Sequence, residues 1–514
     1  MKKSLFISIL AMSASSLFAG GLLTNTNQSA HFLRNPALDA TTEIDGVYAN
    51  PAGLIFLSDG FHLSVSNQSV WQTRTITSNF DGYKYADGNN GNAIKVFNGE
   101  ATAPVIPSFQ FAYKKDKFAF STSFAVTGGG GKAIFNNGLS SFESQVAKTP
   151  LSLNASGVPT TGYSVQSYLE GQQFIFGWQL NGTYKINDQL SAALGVRLNI
   201  VNSKYEGYLR NIQFTVGGNN MTANQLYAFL ATSSTTIATN LGALPPSYTI
   251  EQCVTAGYIT ADKATSLSKG LGKDVTSYTV AQVQGGYTTK AAGYTAASNM
   301  DQNKELNCNQ TGWGITPIIG FNYHQNNLNI AAKYEFGTSI DIQNETQINT
   351  TGVDTYNDGV KTPNDIPALL TLGAEYQVCN SWKVSGGYHH FFDSDAKMAN
   401  DKQQYINGGI NEYLLGTEYA INSKFLVSAG GQVTRTGVTD AYQSDMSYSL
   451  NSYSIGFGGA VNLTPQLRLN LSYFFTNYTP WLKESTNYNA TTLAGSDTYD
   501  RTNKVFGIGL DYKF

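Results

Sequence analysis

Charge is scarce in this chain of 514 residues: Asp, Glu, Lys and Arg make up 13% of it, where a soluble domain carries roughly 25%. The two signs nearly cancel, 32 basic against 35 acidic residues. That balance excludes the basic footprint of a nucleic-acid binder and the polybasic patch of a protein held on a lipid surface. Three cysteines are too few for a disulfide scaffold or a zinc ribbon. Past the N-terminal segment no apolar run reaches the roughly 18 residues of a membrane-crossing helix, which excludes an inner-membrane helical protein. No HExxH, GxSxG or paired-cysteine motif occurs, so the sequence supports no enzyme, metal or cofactor.

What the chain has in quantity is glycine, 51 residues, with 31 tyrosines and 28 phenylalanines. It begins as an export signal does: Lys2 and Lys3, an apolar stretch from Leu5 to Leu17, and the small Ala19 before Gly20, giving a signal peptide over 1–19. From about Phe61 onward, apolar and polar residues alternate in segments near the 9 to 11 residues of a tilted membrane strand. In the last of these, Phe506, Ile508, Leu510, Tyr512 and Phe514 share one face, and Val505, Gly507, Gly509, Asp511 and Lys513 the other. The segments come in hairpin pairs joined by short polar turns: 105–114 with 117–127, 172–186 with 189–203, 313–324 with 328–340, 367–378 with 382–393, 411–421 with 424–436, and 451–462 with 466–478. With an opening strand near 61–73 and a closing one at 502–514, the count is about fourteen. The expected fold is all-β, a transmembrane antiparallel β-barrel over 59–514, and the even count fits a single-chain bacterial barrel.

Short turns such as Asn187-Asp188-Gln189 and Asn422-Ser423-Lys424 alternate with long connections at 74–104, 128–171, 204–312, 341–366, 394–410, 437–450 and 479–501. Outer-membrane barrels keep short turns in the periplasm, so both termini are expected there. The connection 204–312 is too long to be structureless; helical spacing appears at Met221–Ala231, Thr249–Ala256 and Ala261–Lys269. Cys253 and Cys308 both fall within it, on the oxidising side of the cell, and a disulfide between them is expected. Cys379 remains as an ordinary turn residue. His389 and His390 are adjacent on a strand, point to opposite faces, and so form no metal pair.

Residues 20–58 do not read as a spanning strand. They contain two Asn-Pro-Ala triplets, at 35–37 and 50–52, and a barrel of fourteen strands has room for a plug. The run Asp45-Gly46-Val47-Tyr48-Ala49-Asn50-Pro51-Ala52-Gly53-Leu54, ahead of the first strand, resembles the hatch end of the FadL/TodX family of outer-membrane transporters of long-chain fatty acids and other hydrophobic compounds. The terminal Phe514 is similar to the signal read by the barrel assembly machinery. The resemblance implies a monomer in outer-membrane lipid with an N-terminal hatch in the lumen and passive transfer of a hydrophobic small-molecule ligand. Asn50, Pro51, Ala52 and Gly53 then form the hatch or gate motif. The connection 204–312 is longer than the family's usual helical loops.

Gly128-Gly129-Gly130-Gly131-Lys132 has the look of a phosphate loop, but Ala133 stands where a Ser or Thr would bind magnesium. Glycines ending a strand instead permit a kink or bulge, and in the resembling family a kink in the third strand opens the wall. Projection of the strands puts Arg197, Lys333, Glu335, Glu375, Glu418, Arg468, Asp511 and Lys513 toward the lumen. These charges form a ladder that lines water in a porin or, in a plugged barrel, fixes the hatch through ion pairs, and Arg197, Lys333 or Arg468 can instead meet the carboxylate of a ligand. The leading function is passive outer-membrane transport of long-chain fatty acids or other hydrophobic compounds. The alternative is a surface adhesin or binding protein that uses the barrel as an anchor for 204–312.

Overall fold

A computed structural model describes residues 22–514; the export segment expected at 1–19 lies outside the described residues. Alternation of the two side-chain faces carries fourteen spanning strands, each antiparallel to its neighbours in chain order. They are β1 (Gly60–Asn79), β2 (Ile94–Lys115), β3 (Phe118–Phe135), β4 (Thr160–Lys185), β5 (Leu190–Val216), β6 (Lys304–Gln325) and β7 (Leu328–Glu335, resuming at Asp341–Asn349). The second half comprises β8 (Leu369–Cys379), β9 (Trp382–Phe391), β10 (Ile410–Ala420), β11 (Phe425–Arg435), β12 (Ser452–Asn462), β13 (Leu467–Tyr478) and β14 (Gly495–Lys513). β14 returns to β1 in unbroken register from His62↔Lys513 to Asn79↔Ser496, closing the barrel and leaving no free edge.

The tight turns are made by local side chains. Asn187 Oδ1 accepts the backbone N–H groups of Gln189 and Leu190, and Asn422 Oδ1 those of Lys424 and Phe425, mimicking a turn with a side-chain amide. Outside the barrel the apolar faces stay uncovered: Leu194 is 70% and Leu415 72% exposed. An exposed apolar wall of this extent on a closed barrel is solvated by lipid. Near the short-turn end the wall carries paired aromatics, Phe118 with Tyr184 and Tyr512 with Phe514, as at a membrane interface.

At the opposite end the strands run on past any bilayer. β4 has 26 residues and β5 has 27, so much of what reads as the connections 128–171 and 204–312 is strand that pairs in water. Helix α1 (Ala30–Arg34) lies inside the barrel and α2 (Ser140–Ala155) beneath the long loops. The connection 204–312 folds into α3 (Ala223–Leu241), α4 (Ile250–Thr255), α5 (Ala261–Leu271) and α6 (Val280–Ser298). Thr222, Thr249 and Thr279 each close a capping box with Gln225, Gln252 and Gln282. The fourth helix escapes the sequence reading because Gly285, Gly286 and Gly293 lie inside it and lower its intrinsic propensity.

The expected disulfide is absent, and all three cysteines are free thiols. Cys253 is buried in the helical bundle against Ile250, Leu267 and Val283. Cys308 belongs to β6 and packs with Tyr205, Leu306 and Tyr356, its sulfur accepting from Thr346 Oγ1 at 3.2 Å. The two thiols fill separate apolar clusters, one in the helical bundle and one against the wall.

Candidate functional site

The barrel encloses the chain that precedes it. Residues 22–55 are almost wholly buried, and their polar groups are met by side chains projecting from the wall. Asn50 caps a short 3-10 helix, Pro51–Phe56, by accepting from Gly53 N at 3.2 Å, while its amide donates to Thr41 O and to Asn322 Oδ1 of β6. Thr183 donates to Pro51 O and Ser191 to Ala52 O. At Gly53 a Cβ would lie 2.4 Å from Asn50 Nδ2 and 2.6 Å from Thr41 O, so glycine is required by close approach. The sequence's Asn-Pro-Ala-Gly corner is therefore bound to the adjacent wall strands β4, β5 and β6.

Of the charges assigned to the lumen, Arg197, Lys333, Glu418 and Arg468 engage this enclosed segment, Glu335, Glu375 and Asp511 bond to other wall residues, and Lys513 is exposed at the strand's end. Arg197 pairs with Glu335 at 2.7 Å and lies 4.9 Å over the Tyr48 ring. Lys333 binds Glu335 and donates to Tyr48 O at 2.8 Å. Arg468 pairs with Glu43 at 2.7 Å. Lys383 pairs with Glu375 and Glu418, the latter also an acceptor from Arg34, a guanidinium with no exposure at all. All three basic residues proposed for a ligand head group thus have a role in holding the segment.

Two histidines clamp it further. His31, on α1, has Asp45 on Nδ1 and Glu418 of β10 on Nε2, both at 2.7 Å. His389, on β9, has Glu412 at 2.9 Å and Asp39 of the segment at 2.8 Å. Ionised carboxylates only accept, so both contacts of each ring are satisfied when the imidazole carries two protons and a positive charge. Its neighbour His390 is half-buried on the other face, against Phe392 and Asn411, as strand alternation requires.

The segment also needs a smooth surface. On six strands Gly373, Gly387, Gly416, Gly430, Gly456 and Gly507 face it, and a Cβ at any of them would fall 1.7–2.6 Å from an atom of residues 33–40. These six glycines stand where the wall and the segment touch.

The glycine run at 128–131 coincides with a break in the wall. β2 pairs with β3 over Gly99–Thr102 and again over Phe109–Lys115, with nothing between. β3 keeps its pairing to β4 but shifts register twice, at Val126/Gly128 and Gly129/Gly131, and Gly129 has φ +66°. The released carbonyls are taken by the enclosed segment: Thr127 O accepts from Asn25 N at 2.8 Å, and Val126 O from the side chains of Asn25 and Gln28. The facing stretch of β2 contains Pro104 and Pro107, which have no N–H to donate to a ladder. These prolines, inside an otherwise alternating run, are the signal the sequence reading passed over. It also missed His31, Arg34, Asp39 and Glu43, charged residues with partners hundreds of positions away, and Glu412, which meets His389 on the neighbouring strand.

Toward the long-loop end the interior becomes aromatic, with Phe80, Tyr83, Phe97, Phe135, Tyr448 and Tyr499 in one buried cluster. Among the described residues no group of three His, Cys, Asp or Glu side chains is placed to hold a metal ion.

No protein-family model matches the sequence, and no curated protein matches it. Solved structures do match in shape. A FadL homologue from Pseudomonas aeruginosa aligns with a TM-score of 0.57 and 11% identity, over 96% of this chain and all of that one. A TodX mutant described as a monoaromatic hydrocarbon channel aligns with a TM-score of 0.51 and 15% identity, over 95% of this chain and 99% of that one. The chain has the fold of these barrels from one end of the described residues to the other.

Proposed function

We propose that the protein is a passive facilitator of hydrophobic molecules, such as long-chain fatty acids or monoaromatic compounds, across the outer membrane of a Gram-negative bacterium. In this reading the chain is a monomer in outer-membrane lipid, inserted by the barrel assembly machinery, with its short turns and both termini in the periplasm. Residues 20–58 are the hatch. The observation that carries the proposal is the combination of a lumen closed by a buried, charge-clamped segment with a wall that parts between β2 and β3. A water-filled pore gives an apolar solute no favourable site, whereas an aromatic interior leading to a gap in the wall does. Asn50, Pro51, Ala52 and Gly53 then act as the fixed corner about which the hatch shifts, and Gly128 to Gly131 as the bend that keeps the gap open. The adhesin alternative explains the helical bundle but gives no reason for the enclosed segment.

Uptake of radiolabelled long-chain fatty acid and of toluene by cells carrying the protein, set against an unrelated porin, tests the proposal. Uptake above the porin level is expected for at least one of them, with the same molecule class recovered by mass spectrometry of the purified barrel. Porin-level uptake of both, with only detergent and phospholipid recovered, overturns it.

A further inference from the structure

The connection 437–450, which joins β11 to β12, turns down into the barrel instead of standing out in solvent. Tyr442, Gln443, Asp445, Met446, Ser447, Tyr448 and Leu450 are all buried. Met446, Tyr448 and Leu450 join the aromatic cluster of Phe80, Phe97 and Phe135, and Tyr448 stacks on Tyr499 of β14 with ring centroids 4.9 Å apart. We infer that this segment is a movable gate over the aromatic interior at the long-loop end, and that Asp445 is its latch. The inference rests on the transport proposal for what the gate admits.

The segment is built as a unit. Ser444 N donates to Ser447 O and Ser447 N to Ser444 O, both at 3.1 Å, while the Gln443 side chain accepts from Ser449 N and donates to Ser449 O. A tip bonded to itself in this way swings out without stranding buried backbone groups. Its base is pinned: Thr436 N donates to Asn451 Oδ1 at 2.9 Å across the ends of the two strands, and Trp481 Nε1 to Asp440 Oδ1 at 2.7 Å. The tip is held down from separate parts of the chain. Lys402 donates to Ser447 O and Lys483 to Gln443 O. Asp445 Oδ2 accepts from Ser141 N at 2.7 Å and Ser140 Oγ at 3.0 Å, at the N-terminus of α2, where the helix dipole favours a carboxylate. That carboxylate loses its hydration in the closed position and regains it when the segment lifts, while the donors on α2 hold it in; these opposed terms make a two-state element. Because α2 follows β3 in the chain, the latch ties the gate to the strand that borders the gap in the wall.

The protein carries its own standards for a test by thiol labelling, since Cys379 is exposed and Cys253 and Cys308 are buried. The full chain with Met446→Cys, in nanodiscs, is treated with a sulfonated maleimide, and labelled peptides are followed in time by mass spectrometry. Labelling at position 446 is expected to be slow beside that at Cys379. Adding D445A should speed it about tenfold, the effect of losing charge-assisted hydrogen bonds, and adding K402Q/K483Q should speed it severalfold. Cys253 and Cys308 should stay protected throughout, and heat-modifiable migration should be kept. In cells, D445A alone should raise uptake of radiolabelled palmitic acid or toluene per folded barrel severalfold over wild type. Fast labelling at 446 without the further changes, labelling unchanged by both sets, or Cys253 and Cys308 exposed in step with position 446 overturns the gate. Faster labelling with unchanged uptake overturns its part in passage. Porin-level uptake by wild type and D445A alike, with labelling at 446 still accelerated, overturns the transport proposal and leaves the movable segment standing.

Discussion

Asp393, in the turn after β9, shows how one residue ties the enclosed segment to the outer turns. Its carboxyl is fully buried and accepts from Ile410 N at 3.2 Å and Leu22 N at 3.4 Å. Burial pushes its pKa up to about 7. A group whose folded pKa is raised stabilises the fold at low pH and loses that contribution as pH rises through the folded value. Between pH 6 and 8 the wild type should therefore lose about 1 kcal/mol of stability from this group. Denaturant unfolding at the two pH values measures it, and Asp393→Asn should flatten the difference. The same logic of partners governs the lumen. That Arg197, Lys333 and Arg468 point inward was legible from strand alternation. That Tyr48, Glu335 and Glu43 receive them was not, since a period of two says which face a side chain takes and nothing about what stands opposite.

At the scale of the element, β3 is held open from both sides: glycines bend it and prolines on β2 cannot pair with it. Gly129→Ala places a Cβ 2.2 Å from Gln173 O at a positive φ and should lower stability by about 1–2 kcal/mol, read by unfolding in detergent micelles. A gentler test is Pro104→Val with Pro107→Val, which restores two N–H donors without a clash. The β2–β3 ladder should lengthen and hydrophobic uptake per folded barrel should fall severalfold; unchanged uptake would mean the gap is not the passage. The glycine run was visible in the sequence as a place for a bend, but the gap also needed the prolines across from it, and that pairing exists only once the hairpin registers are set.

For the whole molecule, fourteen strands enclose more space than their inward side chains fill, and the enclosed segment occupies it through contacts on nearly every strand. Deleting residues 20–58 removes no strand and none of the outer apolar face, so the barrel should still assemble and show heat-modifiable migration. Its conductance in planar bilayers should rise well above that of the full chain. A folded deletion variant with no added ion leak counts against a plugging role.

The sequence by itself determined the strand count, the lipid-facing sides, the tight turns and most helices of the long connection, because each depends on residues a few positions apart: a period of two, an Asn before a turn, a Thr three residues ahead of a Gln. Only the tertiary structure decided which carboxylate meets which histidine, why six wall glycines are needed, where the ladder between β2 and β3 breaks, and that Cys253 and Cys308 stay apart. Those outcomes follow from closing the sheet on itself: closure brings β14 to β1 and lays residues 22–57 against most of the wall, so the deciding contacts span most of the chain. Local pattern carries no information at that range, and packing supplies it.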